Sequence, residues 1–355
     1  MAGGSQVLAL CGLALCLPAG WTPVQASTAP PQQPDRVAVK SPDQTLPLEE
    51  LAQSRRIDIH ALRSPQDRME GYTGPPAQYE VDAQADVEYG QAAGESLRLD
   101  LYAPRGAGGM RPGIVLFHGG GWRDRMGSRY STAAQAAWFA ARGFVAVSAE
   151  YRLAPRHRWP AMLDDCQRSI RWLRAHAAQF SVDPNRIAST GSSAGGHLSA
   201  MVGLIDTRDN SDEALAGFSS KVNLALPRAV AAVDWSEIPG EDSSQPNAPV
   251  EGMLVELFGL PSAQIPEETR AEFTLLPHVS QDDAPFFITH SKNDRLIPLA
   301  GVAKLRDALE QAGVEVELDV VDGTGAGHAL NMPSEEYSRH DNRLWAFVRK
   351  HFRIE

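Results

Sequence analysis

Ser193 stands between two glycines in Gly191-Ser192-Ser193-Ala194-Gly195, a G-x-S-x-G stretch. A serine hydroxyl is a weak nucleophile until a neighbouring base takes its proton, and the base in turn needs a carboxylate to orient it. The setting of the stretch fits that chemistry. Ile187 to Thr190 reads as a buried strand, and after the stretch Leu198, Met201, Val202 and Ile205 recur at helical spacing. A serine at a sharp strand-to-helix turn points its hydroxyl into a cleft above the positive end of the helix. Only Ser193 holds the tip of that turn; Ser192 does not. By itself the pattern is also that of an ordinary Gly/Ser turn.

A second stretch supplies what such a nucleophile requires. His118-Gly119-Gly120-Gly121-Trp122 follows the apolar run Gly113–Phe117. In acyl transfer the carbonyl oxygen becomes negatively charged, and two backbone N–H groups aimed at it are worth several kcal/mol, about 3 to 4 per donor removed. Gly119 and Gly120, with Ala194 after the serine, are the candidate oxyanion donors. The alternative is a flexible glycine turn. A phosphate loop does not fit, since no Lys-Ser/Thr pair follows and no G-x-G-x-x-G spacing exists.

The elements that position these loops alternate. Leu97, Leu99 and Leu101 mark an amphipathic strand, and Gly113–Phe117 and Phe144–Ala149 continuous buried ones. Helices are expected over Thr132–Arg142, ended by Gly143, and over Met162–Phe180. Further strands are expected at Val230–Val233, Phe286–Thr289 and Val314–Val321, with a C-terminal helix. Strand–helix alternation with short connections predicts an α/β fold with a mostly parallel central sheet and helices on both faces. We see no internal repeat and no domain break between Val81 and Glu355.

His118–Trp122, Tyr151-Arg-Leu-Ala-Pro155 and Gly191-Ser-Ser-Ala-Gly-Gly-His-Leu198, in that order, resemble the α/β-hydrolase superfamily. More narrowly they resemble the hormone-sensitive-lipase-like esterases and the feruloyl and acetyl-xylan esterase (BD-FAE) type. The resemblance covers about residues 95 to 330 and leaves 27–80 out. It implies an α/β-hydrolase fold with a small lid insertion and a triad in the chain order Ser, Asp or Glu, His.

Asp294 in His290-Ser-Lys-Asn-Asp and His328 in Gly323-Thr-Gly-Ala-Gly-His are the acid and base this order selects, each on a loop after a strand. Against His328, His197 lies one turn along the serine helix and reads as packing or surface polarity. His290 belongs to the segment leading to the acid, and His340 and His351 fall in the last helix, where exposure is the default. Asp322 is the rival acid, only six residues before His328; Asp282 and Asp283 precede their strand. The mechanism needs no metal and no cofactor.

The chain of 355 residues has a net charge of −11, which argues against a nucleic-acid groove and an anionic membrane surface. Residues 1–26 lack charged side chains, and Val7–Leu17 is an apolar core too short to span a bilayer. Val24-Gln25-Ala26 suits a signal peptidase, so 1–26 reads as a signal peptide, despite its missing positive start. Export to the periplasm or medium is expected, with a cytoplasmic location the alternative. Cleavage would leave Cys166 alone, on the apolar face of a helix, as a buried small hydrophobe. Residues 27–80 read as a Pro-rich linker and N-terminal extension, and 81–355 as the catalytic domain.

Trp122 and Trp235 are the candidate pocket walls, with Met253, Leu254 and Phe258 as lid candidates. The resulting expectation is a serine carboxylesterase for small acyl esters, including acetyl or feruloyl esters of carbohydrates. An amide hydrolase of the formamidase kind and a lipase-like esterase for short-chain acyl lipids are the alternatives. The partner is a small-molecule or carbohydrate ester, without nucleic acid or stable membrane association; the sequence is silent on oligomeric state.

Overall fold

The computed structural model describes residues 46–47, 66, 69–106, 108–238, 248–322, 327–328 and 330–354. Residues 1–26, read as a signal peptide, most of 27–80, read as linker and extension, and a helix expected over Leu48–Ser54 lie outside these. The chain divides after Val37, and the sheet and the site belong to the unit of residues 38–355.

Nine described strands form one sheet: β1 (Leu46–Pro47), β2 (Val81–Ala92), β3 (Glu95–Pro104), β4 (Arg111–Phe117), β5 (Val145–Ala149), β6 (Val182–Ser192), β7 (Leu224–Arg228), β8 (Phe286–Ser291) and β9 (Val316–Val321). Their order is β1-β2-β3-β5-β4-β6-β7-β8-β9. β1 to β3 are antiparallel, and β3 joins β5 antiparallel. From β5 to β9 every pairing is parallel. Helices therefore cover both faces, as a parallel sheet demands.

The faces separate by residue alternation. Ile114, Leu116, Ala146, Ala188, Leu224, Leu226 and Phe287 pack on α1 (Ala133–Ala140) and α7 (Ser334–Phe352). Val115, Phe117, Val147, Ile187, Ala225 and Ile288 face α2 (Ala161–Ala175), α3 (Ala194–Leu204) and α6 (Leu299–Gln311). Cys166 is fully buried on α2. Two further helices, α4 (Ala248–Phe258) and α5 (Glu267–Phe273), occupy the insertion before β8.

One strand differs from expectation. Val230–Val233 is not a strand; β7 lies earlier, at Leu224–Arg228. Pro227 obscures it, because proline removes a ladder donor and argues against a central strand. Part of the N-terminal extension joins the same packed unit. The Tyr72 hydroxyl donates to Asp341 at 2.8 Å and Arg142 donates to the Pro75 carbonyl at 2.8 Å.

Candidate active site

β6 ends at Ser192 and α3 begins at Ala194, leaving Ser193 between them at φ 59°, ψ −122°. A non-glycine residue held there costs about 1–3 kcal/mol and persists only where its surroundings over-determine it. Here the Ser193 N–H donates to the Arg228 carbonyl at 3.1 Å, and its carbonyl accepts from the His197 N–H at 2.9 Å. Gly195 packs so tightly on the Phe117 and His118 carbonyl oxygens that no Cβ fits. Strand end and helix start thus converge on the serine. Its hydroxyl makes no hydrogen bond among the described residues and faces a cavity.

The glycine loop lies beside it. A side chain at Gly119 would meet the Ser192 carbonyl oxygen at 2.8 Å and the Ser193 Cβ at 3.5 Å. Gly120 has φ +114°, a conformation that favours glycine. Among the described residues the N–H groups of Gly119, Gly120 and Ala194 have no acceptor. The loop is held from behind. The His118 Nδ1–H donates to the Gly119 carbonyl at 2.8 Å, and Trp122 and Asp124 exchange backbone hydrogen bonds with Ala154, both 2.9 Å. Burial pushes the His118 imidazole down to about 4, so it stays neutral.

Asp294 and His328 come together as the sequence order requires. The His328 Nδ1–H donates to Asp294 Oδ2 at 2.8 Å. Asp294 Oδ1 accepts from the N–H groups of Leu296 at 2.9 Å and Ile297 at 3.0 Å. Burial alone would raise this carboxyl; the hydrogen bonds from His328 and the Ile297 N–H outweigh it and hold it below its ordinary value. Such a partner takes Nδ1 as its donor and so leaves Nε2 as the ring nitrogen that a neutral imidazole offers to a nucleophile. His328 and Ser193 line the same cavity.

The rivals fall elsewhere. Asp322 is exposed and pairs with Lys292. Asp282 and Asp283 hold Lys221, both at 3.0 Å. His290 donates to the Ile297 carbonyl at 3.0 Å. His197 is fully buried, donates to the Phe273 carbonyl at 2.7 Å and is pushed by burial down to about 4. His340 corrects the expectation of exposure: it is buried and bonded to Asp319 at 2.6 Å.

The cavity measures about 540 Å³. Trp122, a candidate wall residue, lines it, and so do Met253 and Leu254, the lid candidates. Trp235 and Phe258 do not; they pack behind Phe273, and the Arg270 guanidinium lies over the Trp235 ring. Phe273, Met126, Val250 and Leu296 were missed as wall residues. Each is one apolar side chain in a loop or short helix, and nothing in its local pattern marks it. Among the described residues no group of three or more His, Cys, Asp or Glu is placed to hold a metal ion, and no helix is long and apolar enough to cross a membrane.

A parallel sheet whose central strand delivers a strained serine to a helix start, facing an Asp–His pair on later loops, defines an α/β-hydrolase. The BD-FAE family model matches residues 99–309, more than half of the chain. The chain belongs to that family. It is 27% identical over 234 residues to the probable carboxylic ester hydrolase LipM of Mycobacterium tuberculosis, covering 64% of this chain and 51% of that one. It is 30% identical over 226 residues to esterase LipC of the same organism, covering 62% and 53%. The chain thus spans about half the length of these relatives. Among solved structures, the butyrate-bound esterase Est2 of Thermogutta terrifontis is similar with a TM-score of 0.61 and 28% identity, over 74% of this chain and 92% of that one.

Proposed function

We propose that the chain is a serine carboxylesterase. Ser193 attacks the ester carbonyl carbon while His328 takes the hydroxyl proton, and Asp294 stabilises the imidazolium that forms. The N–H groups of Gly119, Gly120 and Ala194 receive the negative oxygen. His328 then gives its proton to the departing alkoxide, leaving an acyl-serine. Water attacks the acyl carbon, losing its proton to His328; His328 then returns a proton to Ser193 Oγ as the acyl–oxygen bond breaks, and the acid departs with serine and imidazole restored.

The observation that carries this reading is the 2.8 Å Asp294–His328 hydrogen bond on the wall of the cavity that Ser193 faces. Est2, with butyrate bound, supports a small acyl group. A Thermogutta esterase 2 phosphorylated by paraoxon, at 26% identity, supports an organophosphorus probe. A fluorophosphonate is expected to label the protein covalently, and Ser193→Ala to abolish the label. No labelling of folded wild-type protein would sink the mechanism. Comparing acetyl esters with N-formyl amides separates ester from amide hydrolysis; faster amide turnover would displace the ester reading.

The family resemblance and expected export point to carbohydrate esters, a reading that the mostly apolar described cavity wall opposes. Export itself rests on residues 1–26, and N-terminal sequencing of exported protein should begin at Ser27.

A further inference from the structure

The chemistry of the cavity wall says more about the substrate than the reaction class does. Setting Ser193 and His328 aside, its polar side chains among the described residues are Arg123, Ser131 and Ser192, with the indole N–H of Trp122. No Asp, Glu, Asn, Gln, Lys or Tyr lines it among the described residues. A sugar carries a hydroxyl on nearly every carbon. Against the described wall, with its unpartnered Trp122 and Arg123 N–H groups and two serines, most of those hydroxyls would lose water without gaining a partner, a cost of about 1–3 kcal/mol for each group left unsatisfied. The enclosed side is mostly hydrocarbon instead: Phe273, Leu254 and Val250 are buried, and beside them the buried Trp122 ring brings one unpartnered Nε1–H.

The mouth is apolar as well. Met126 and Leu296 line the cavity at 60% and 50% exposure, the two most exposed large apolar side chains among the described residues. Both belong to loops that carry the chemistry. A Cβ on Gly120 would meet the Met126 carbonyl carbon at 2.8 Å, so Met126 abuts the donor loop. The Leu296 N–H donates to Asp294 at 2.9 Å. The exposed pair is therefore tied to the loops that hold the candidate donors and the candidate acid. Apolar surface left in water at a site's rim marks a place where something apolar is covered.

The two sides have different occupants by the logic of an acyl-enzyme. The acyl group stays on the serine through the second half-reaction and suits the enclosed side. The alcohol must leave midway and suits the open mouth. We infer that the enzyme selects esters whose alcohol as well as acyl group is apolar, alkyl or aryl rather than sugar, with Met126 and Leu296 as the residues that choose the alcohol. This selectivity rests on Ser193 being the nucleophile.

The test compares hexyl acetate with methyl glucoside acetylated on its primary hydroxyl, so that acyl group and leaving-group class are matched. Hexyl acetate is expected to win by at least about tenfold in kcat/KM, the lower end of what one methylene achieves in an apolar pocket. The double variant Met126→Ser, Leu296→Ser is expected to narrow the ratio at least threefold, about what withdrawing one methylene from apolar cover does, through KM for the hexyl ester. Val255→Ser, exposed on α4 and off the cavity wall, is expected to leave the ratio alone. A wild-type enzyme that hydrolyses the sugar ester as fast as the hexyl ester overturns the proposal, as does a ratio untouched by the double variant. Failure to hydrolyse either ester, with no fluorophosphonate label, would instead fall on Ser193 as the nucleophile.

Discussion

The Tyr151 hydroxyl donates to the main-chain carbonyl of His118 at 2.6 Å, and the two rings stack with centroids 4.2 Å apart and planes within 9°. Tyr151 follows β5, and His118 opens the donor loop after β4. One side chain therefore anchors the residue from which the Gly119 and Gly120 N–H groups are hung. The loop's glycines give it no rigidity of their own, so its aim depends on such anchors.

Tyr151→Phe keeps the stack and removes only the hydrogen bond. The buried His118 carbonyl then lacks its donor, which should cost about 1–3 kcal/mol of stability. A loosened donor loop acts on the transition state, so kcat should fall about three- to tenfold with KM little changed. Steady-state kinetics and a urea melt on one preparation check both. A fall in KM alone would show that the loop's aim does not depend on this bond.

Asp294→Asn keeps the shape and removes the charge. In the proposed triad the carboxylate orients the His328 ring and stabilises its protonated form, and in triads of this kind the amide costs about 10⁴ in kcat. The N–H groups of Leu296 and Ile297 still find an acceptor in the amide oxygen, so the loop should stay folded. Circular dichroism and thermal melting should resemble wild type while turnover collapses. Near-wild-type turnover would reassign the acid.

Gly195→Ala tests the turn itself. The added methyl would overlap the carbonyl oxygens of Phe117 and His118, both backbone, at the junction of β4, β6 and α3. Overpacking of this kind typically costs about 1–3 kcal/mol or more, and any relief must move Ser193 or the donor loop. We expect little soluble protein, and in what remains kcat reduced far more than KM. Full activity would mean that the close approach is not needed.

Much of the candidate site is legible in the chain because its pieces are local. The serine turn, the glycine loop and the strand-end positions of Asp294 and His328 are each spelled within a few residues. What was hidden is tertiary. β7 was displaced because Pro227 masks a strand whose register only its neighbours β6 and β8 enforce. His340 read as surface because a charged helix face gives no sign of Asp319, which approaches it from β9. Trp235 and Phe273 are both aromatic residues in an irregular insertion, and only packing decides that Phe273 faces the cavity while Trp235 stands behind it.

Buried ionisable groups set two separate acid limits on stability. His197 is fully buried, and burial pushes it from 6.5 to about 4, against the smaller opposing effect of its bond to the Phe273 carbonyl. The unfolded chain takes up this proton near 6.5 and the folded one only near 4. Stability is therefore complete above 6.5 and falls as pH drops toward 4, by about 3 kcal/mol for such a shift. His118, likewise held near 4 by burial, acts in the same window. Asp319 works lower. Its burial would raise the carboxyl, but His340, Arg339 and Arg343 together bring it from 3.8 down to about 2. Its contribution, about 2 kcal/mol, is complete above 3.8 and lost as pH falls toward 2. Urea unfolding of the wild type at pH 7, 5, 4 and 3 should show two successive losses. His197→Gln should reduce the loss between pH 7 and 4 and leave the lower one, whereas Asp319→Asn should reduce only the drop below pH 4, to which Asp206, also held at about 2, contributes as well. If His197→Gln loses as much stability as wild type between pH 7 and 4, burial of that imidazole is not what limits the fold in mild acid.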